Sequence, residues 1–371
     1  VYKRQALYGA FPSTRFRDAG STDAVGGTLL GDDGGNGGAP IALPSAFGVY
    51  SMSPRLKLGA GVNVPFGLST DYGDAWIGRY HATKSEIEAI NISAVAAWRV
   101  SRCWTLGGGL DVQRLEASIG NAIDFGSIGA GMLLPGFVPQ GADGSVRVAG
   151  DDWSLGFNVG LLFEPRAGTR FGLHYRSRVS HDLEGDADFT VPPAAAPLLA
   201  GGAFVDTPAR VGISMPDSLS FSAYHEPHPC WAVLADVTWT NWSLLDQVPI
   251  EYENPAQPQT VLDFGWHDTW RVSVGVTWRA TPRWTLRGGL AYDPSPIPRS
   301  TRTPRIPGND RTWFTCGAEF RVHSRLTADL SYAYIAVDDG PSDQTVPARG
   351  RVRGHNESSV HLVGLQLTLD L

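Results

Sequence analysis

The chain of 371 residues is 42% hydrophobic and only 18% charged, and its formal net charge is -7. This balance excludes a disordered chain, and the negative charge argues against a nucleic-acid-binding protein, which would be basic. The three cysteines, Cys103, Cys230 and Cys316, cannot all pair and have no metal-ligand spacing, which argues against a disulfide scaffold and a zinc site. No run of about 18 apolar residues predicts a spanning helix, but a spanning β-strand needs only alternate apolar residues.

The predicted elements are β-strands in which apolar and polar residues alternate. After a first strand near residues 7–15 and a second over 41–52, the clearest examples in chain order are residues 56–68, 153–163, 270–279 and 363–371. Along 56–68 the alternation places Val62, Phe66 and Leu68 on one apolar face. The opposite faces carry Arg, Asp, Asn and Gly, whereas the exterior of a water-soluble sandwich would carry Lys and Glu. We therefore interpret the apolar faces as lipid-facing and the polar faces as lining a wet interior.

Short and long connections alternate from Ser53 onward. The long ones cover about residues 70–84, 121–151, 190–207, 244–268, 294–311 and 338–357. Two short turns are flanked by tryptophan pairs, Trp98 with Trp104 and Trp278 with Trp284, as in an aromatic girdle. The strand count is 14, an even number that places both ends in the periplasm. The predicted fold is all-β: one 14-stranded antiparallel transmembrane β-barrel over residues 1–371, with short periplasmic turns and long extracellular loops.

Four groups of short motifs are spread over residues 40–340. They are Val64–Tyr72 with Trp76–Tyr80 and Ser85; Asp152–Asn158 with His174–Ser177; Asp236–Ser243 with Trp266–Arg271; and Leu286–Gly289 with Ala291–Pro296, Arg302–Pro307 and Asp310–Arg311. In this order and spacing they resemble the FadL family of outer-membrane transporters for long-chain fatty acids and other hydrophobic compounds. The family barrel has 14 strands, which agrees with the count made from the alternation.

The resemblance implies passive uptake, most directly of long-chain fatty acids, by capture at extracellular loops, transfer to an internal apolar pocket and lateral exit through the wall. The alternatives are an aromatic hydrocarbon channel of the same family and a non-specific porin. Burial of each methylene contributes about 0.8 kcal/mol, which favours transfer of a long acyl chain from water to an apolar groove. Family members begin with a signal peptide and a small plug domain. Neither is visible ahead of Val1, so we expect the sequence to be N-terminally incomplete.

The lateral opening of the family is formed by a kink in the third strand. In this sequence Pro65, Phe66 and Gly67 lie in that strand. Proline removes one donor from the ladder and glycine weakens the strand, so we expect these three residues to form or border the opening. The alternative is that Pro65 only ends the strand near the outer rim.

The loop over residues 121–139 is unusually apolar. It contains Phe125, Ile128, Leu133, Leu134 and Phe137. Exposed apolar patches generally mark binding surfaces, which makes this loop the candidate for an outer hydrophobic groove. The alternative is that these side chains pack against each other in the barrel mouth.

Arginines are candidate contacts for an anionic group. The loop over 294–311 contains Arg299, Arg302 and Arg305, which are candidates to bind a substrate carboxylate or lipopolysaccharide phosphates. The alternative is that the loop is solvated and partly fixed by salt bridges. Inside the barrel, the expected facing residues are Arg176, Arg271 and Arg287 on one side and Asp111, Asp236 and Asp293 on the other. We expect these charges to pair and stiffen the wall. The alternative is that one of the arginines holds the carboxylate of the ligand.

The sequence does not favour an enzyme. His174 and Ser177 are expected to point to opposite faces of a strand, and His225 with His228 lacks a carboxylate partner for a metal ion. No glycine-rich segment has the Lys-Ser/Thr of a phosphate-binding loop. We therefore predict no catalytic residue, metal or cofactor. The predicted partners are a hydrophobic small molecule, the lipid and lipopolysaccharide of a Gram-negative outer membrane, and the barrel assembly machinery. We expect the chain to be monomeric and to bind no nucleic acid.

Overall fold

The chain folds into antiparallel β-strands joined by short turns at one end and longer loops at the other. The computed structural model describes residues 2–370. The first strands are β1 (Tyr2–Asp18), β2 (Ile41–Ser51), β3 (Leu56–Asp71), β4 (Lys84–Arg99), β5 (Trp104–Asp124), β6 (Asp143–Arg166), β7 (Thr169–Arg176), β8 (Val179–Thr190) and β9 (Thr207–Met215). The others are β10 (Ser218–His228), β11 (Trp231–Thr240), β12 (Gln247–Tyr252), β13 (Thr260–Asp263), β14 (Thr269–Arg279), β15 (Trp284–Asp293), β16 (Arg311–His323), β17 (Leu326–Val346) and β18 (Gly350–Asp370).

Helices are few and lie in the connections. One α-helix, α1 (Phe125–Gly131), follows β5, and two 3-10 helices cover Pro193–Gly201 and Trp242–Leu244. Within residues 2–370, none of the helices has the length and apolar character needed to cross a membrane.

The eighteen strand segments form a closed barrel of 14 antiparallel strands. Four barrel strands are each interrupted once, and they consist of β7 with β8, β9 with β10, β11 with β12 and β13 with β14. Segment β7, for example, pairs with β6 and β10, whereas β8 pairs with β6 and β9. Strand β1 closes the cylinder by pairing with β2 and, from Tyr2 opposite Asp370 to Asp18 opposite Gly354, with β18. The predicted 14-stranded fold is thus confirmed.

Near the short turns, the exterior of the barrel is apolar and the interior is polar. The exposed apolar side chains of β14 are Trp270, Val272, Val274, Val276 and Trp278. Arg271, Ser273 and Thr277, which alternate with them, line an interior cavity. The tryptophans of the two predicted pairs are also exposed. This arrangement is the one expected of a wall that contacts hydrocarbon on its outer side.

Near the long loops, the polarity of the wall reverses. The exposed residues of β8 include Asp182 and Glu184, and the buried ones include Leu183. On β7, below the interruption at residues 177–178, the apolar Leu173 is on the exposed side. The interruption shifts the alternation by one residue, and a shift of one residue moves a whole set of side chains to the other face. This end of the barrel therefore has a charged exterior and an apolar interior, like a water-soluble protein.

The prediction of a long loop over residues 338–357 is wrong. Strands β17 and β18 continue through this range to a short turn at 347–349, and the last pair joins Val346 to Gly350. The loop predicted over 121–151 is likewise shorter, because β5 and β6 extend to Asp124 and from Asp143. Outside the bilayer both faces of a strand can be polar, so the apolar alternation stops before the strand does.

The facing of β14 can be tested by placing a charge on either side of the wall. We expect Val274→Arg to destabilise the folded barrel by about 2–4 kcal/mol, because the guanidinium would enter hydrocarbon. Ser273→Arg places the same group in the wet interior and is the control, with a much smaller expected effect. Urea unfolding in lipid vesicles measures both, and equal losses would contradict this facing.

Candidate binding pocket and lateral opening

An apolar cavity of about 70 Å³ lies inside the barrel, toward the long loops. Eight strand segments contribute to its wall: β3, β4, β5, β6, β8, β9, β12 and β13. The lining side chains include Leu68, Ile87, Ile119, Leu183, Val211 and Ile250. Among the described residues that line the cavity, Arg305 alone carries a formal charge. A small apolar cavity with one cationic group is suited to an amphipathic ligand.

The Arg305 guanidinium is bonded to neutral oxygens. Its Nη1 donates to Ser85 Oγ at 2.9 Å, and its Nη2 donates to the main-chain oxygen of His81 at 2.9 Å. Longer bonds of 3.4 Å reach the main-chain oxygens of Lys84 and Gly120. Within residues 2–370 no carboxylate pairs with this side chain, and its charged neighbour is another cation, Arg349. The charge of Arg305 is therefore held in the apolar interior without a counter-ion.

Two basic side chains adjoin Arg305, namely Arg349 from the β17–β18 turn and His81 from the loop after β3. Burial, together with Arg349, lowers the pKa of Arg305 to about 9. Burial, with added effects of Arg349 and Arg305, lowers the pKa of His81 to about 3, so this imidazole is neutral near pH 7. His81 Nε2 is buried and has no hydrogen-bond partner among the described residues. A positive, desolvated cluster of this kind favours an anionic ligand.

The loop that carries Arg305, between β15 and β16, is fixed by its own polar contacts. Thr70 Oγ1 donates to the main-chain oxygen of Arg305 at 3.2 Å. Arg302 is buried and donates to Gly308 O at 3.1 Å and Asn309 Oδ1 at 2.8 Å. Arg302 therefore holds the loop together, and it is not among the residues that line the cavity. Arg299 is exposed, so Arg305 is the one of the three predicted loop arginines that lines the cavity.

A layer of hydrogen-bonded polar side chains lies below the cavity. Asp111 accepts bonds from Asn91 Nδ2 at 3.0 Å, from Asn158 Nδ2 at 2.9 Å and from the hydroxyl of Ser93. The layer continues through His181, whose Nδ1 lies 3.0 Å from Asp152 Oδ2 and whose Nε2 lies 3.2 Å from Gln113 Oε1. This layer separates the apolar cavity from the polar interior near the short turns.

The interior near the short turns contains a larger cavity of about 900 Å³, whose lining includes several charged residues. Arg271 is paired with Asp236 at 4.0 Å, as expected. Arg287 instead pairs with Asp329 at 2.7 Å and with Glu319. The other two predicted acidic partners have different contacts: Asp293 pairs with Arg311 at 3.1 Å, and Asp111 is bonded to neutral groups. Arg176 is also expected to face these aspartates, but within residues 2–370 it forms no ion pair with them. The paired arginines of this cavity are already compensated by carboxylates.

Strand β3 contains a bulge at Pro65. Asn63 pairs with Asn91 of β4, and the next pair joins Phe66 to Ala89, so the two residues between them on β3 oppose one on β4. A bulge of this kind shifts the alternation. Phe66 therefore packs inside the barrel beside Ala89, and Leu68 lines the apolar cavity. The prediction that both side chains face lipid is wrong for this reason.

Beside the bulge, the ladder between β2 and β3 is interrupted. Pairing ends at Ala46 opposite Val62 and resumes in an isolated bridge between Gly38 and Thr70. The unpaired stretch is about 25 Å long at about 3.3 Å per residue. We call it the wall slit. Of the three residues predicted at a lateral opening, Phe66 is directed into the barrel, Pro65 lies in the bulge and Gly67 is exposed beside the slit.

The apolar loop after β5 divides into a buried and an exposed part. Phe125 is fully buried and packs with Ile128, Leu134 and Phe137 in a cluster with the 3-10 helix Pro193–Gly201. These four side chains pack against each other in the barrel mouth, which is the alternative given above for the loop. Leu133 is 90% exposed with a φ of 59°, a left-handed conformation that leucine seldom adopts. The accessible part of the predicted groove is therefore the tip of the loop.

Sequence reasoning did not single out His81, Arg349 or Trp242. His81 and Arg349 are brought near Arg305 by two different loops, and no spacing in the sequence indicates that proximity. Trp242 belongs to one of the motifs that carried the resemblance, but its position inside the barrel depends on the interruption between β11 and β12. Tertiary contacts between separate loops are the part of such a site that pattern analysis does not reach.

The closed barrel, its lipid-facing belt and its long loops on one side define the class of outer-membrane β-barrel proteins. The family model described as "Outer membrane protein transport protein (OMPP1/FadL/TodX)" matches residues 9–371. The chain therefore belongs to this family of outer-membrane transporters for hydrophobic compounds.

Curated relatives and solved structures agree with this assignment. The long-chain fatty acid transport protein of Escherichia coli O6:H1 is 27% identical over 316 residues, which cover 80% of this chain and 70% of that protein. Outer membrane protein P1 of Haemophilus influenzae is 28% identical over 325 residues, covering 82% and 69%. A FadL homologue of Pseudomonas aeruginosa has a similar fold, with a TM-score of 0.92, 23% identity and coverage of 100% and 90%. The toluene transporter TodX of P. putida has a TM-score of 0.73, 18% identity and the same coverage.

The polar layer below the cavity can be tested at Asp111. We expect Asp111→Leu to lower the free energy of unfolding by about 1–3 kcal/mol, because the amides of Asn91, which is buried, and Asn158, which is half-buried, lose their acceptor. Asp111→Asn keeps one acceptor oxygen and should cost less. Urea unfolding in lipid vesicles measures both, and wild-type stability of Asp111→Leu would show that the layer contributes nothing.

Proposed function

We propose that this transporter takes up long-chain fatty acids, binding the carboxylate at Arg305 and the first part of the acyl chain in the apolar cavity. The observation that carries the proposal is the uncompensated guanidinium of Arg305 in the wall of that cavity. A buried cation is costly without a partner, and a carboxylate supplies both the opposite charge and acceptors for the guanidinium donors.

An uncharged aromatic hydrocarbon fits this site less well than a fatty acid. It would fill apolar space but leave the charge of Arg305 without a counter-ion. The relatives include proteins named for each substrate class, a long-chain fatty acid transport protein and a toluene transporter. The charge in the cavity is the feature by which this chain favours the anionic class.

The wall slit supports a lateral exit. It lies beside Phe66, which packs inside the barrel, and its lower end adjoins Val62 and Ile92, which are exposed on the outer face. An apolar molecule leaving through it would move from an apolar interior to a lipid-facing surface. The opposite direction, toward the short turns, leads through the polar layer into the charged cavity of about 900 Å³. We therefore propose that Pro65, Phe66 and Gly67 border the exit.

The role of Arg305 can be tested with purified protein and radiolabelled oleate. We expect Arg305→Gln to weaken oleate binding about tenfold or more, because a charge-assisted hydrogen bond is lost. Methyl oleate has no carboxylate, so its binding should change little.

The control is Arg299→Gln, which removes an equal charge from an exposed position on the same loop. Oleate affinity of the control should match that of the wild type. If Arg305→Gln binds oleate as the wild type does, the proposed fatty acid site is wrong.

The site also has an expected pH dependence, which an alkyl sulfonate reports because its head group stays ionised. Between about pH 5 and pH 8 binding should be constant, since Arg305 is protonated and His81, with its pKa lowered to about 3, is neutral. Above the lowered pKa of Arg305, about 9, loss of the positive charge should weaken binding. A binding transition near the ordinary histidine pKa, measured by isothermal titration calorimetry, would contradict this assignment.

A further inference from the structure

A row of four aromatic side chains connects the apolar cavity with the wall slit. Phe264 lines the cavity, and its ring centroid is 5.3 Å from that of Trp266. Trp266 lies 5.3 Å from Trp242, edge to face at 72°. Trp242 lies 6.0 Å from Phe66, edge to face at 75°. We call this set the aromatic row, and its last member is next to the bulge at Pro65.

The interruptions of the barrel strands place Trp242 inside the barrel. Trp242 begins the short 3-10 helix between β11 and β12, where the ladder is absent. The flanking Asn241 is held by Asp217, through main-chain N to O at 3.0 Å and Nδ2 to Oδ1 at 2.9 Å. On the other side Ser243 N donates to Asp268 Oδ1 at 3.0 Å. Both anchors lie at interruptions of neighbouring strands, so the backbone around Trp242 is fixed from two sides.

The indole itself is less constrained than its backbone. Trp242 is half-buried, and its contacts in the row are the edge-to-face pairs with Trp266 and Phe66. Such pairs are weak, so the ring can change rotamer while the backbone remains in place. A weakly held ring on a fixed backbone, placed between a cavity and a gap in the wall, has the properties of a gate.

We propose that Trp242 is the gate between the apolar cavity and the wall slit, and that movement of its ring off Phe66 lets the acyl chain pass. The proposal rests on the fatty acid function and lateral exit proposed above. The cavity of about 70 Å³ holds only the beginning of a long chain, so the remainder must continue along an apolar path. The aromatic row supplies that path, and Trp242 with Phe66 closes its end.

The test separates affinity from the rate of transfer. Protein in lipid vesicles is loaded with a fluorescent long-chain fatty acid, and its transfer to the surrounding bilayer is followed by stopped flow. We expect Trp242→Ala to accelerate transfer roughly threefold to tenfold, the effect of removing one aromatic contact from the closed state, and equilibrium affinity to fall by a smaller factor than the rate rises. Trp242→Phe, which keeps an aromatic ring there, should transfer at close to the wild-type rate.

Matched variants make each result decisive. Trp284→Ala removes a lipid-facing tryptophan and should leave the transfer rate unchanged. If Trp242→Ala does not fold, Phe66→Leu, which removes the other ring of the closing pair, should accelerate transfer in its place. Wild-type transfer rates in the folded variants, with Arg305-dependent binding intact, would overturn the gate alone. Absence of fatty acid binding in the wild type would instead overturn the proposed function.

Discussion

A bilayer offers no hydrogen bonds, so every main-chain N–H and C=O of a spanning segment must be paired within the protein. The closed ladder from β1 to β18 meets this requirement, and it restricts where the wall can be interrupted. Two barrel strands are interrupted, between β7 and β8 and between β9 and β10, at the level where the exterior changes from apolar to charged. At that level water and side chains can take the place of the ladder: Ser177 Oγ, for example, accepts from Phe157 N at 2.9 Å.

The same change of polarity organises the interior. Near the short turns the charges are paired, and Arg287 has two carboxylate partners. Near the loops the interior is aliphatic, and Arg305 has none. Buried charges are usually paired or have a functional role, and Arg305 is the arginine without a carboxylate partner that lines the apolar cavity. For this reason the loop arginine, rather than the arginines lining the large cavity, is central to the proposed substrate class.

Alternation and loop asymmetry were sufficient to predict the barrel, its strand number and the lipid-facing belt, because these depend on the solvent that each face contacts. They failed at Phe66 and Leu68, where one extra residue in β3 reverses the facing, and at residues 338–357, where strands continue into water. Pro65 was a local signal for the bulge, but the resulting pairing depends on β4. The cluster of Arg305, Arg349 and His81 had no signal in the sequence, since three separate loops assemble it.

The positions of Arg305 and the bulge at Pro65 also determine the polarity with which a bound amphiphile would be delivered. Arg305 belongs to a loop that covers the barrel, whereas the bulge lies within the wall. A fatty acid anchored at Arg305 would present its methyl end to the membrane first, and its head group would follow last. Insertion would then proceed with gradual gain of hydrocarbon contact, and separation of the carboxylate from the guanidinium would be the last event.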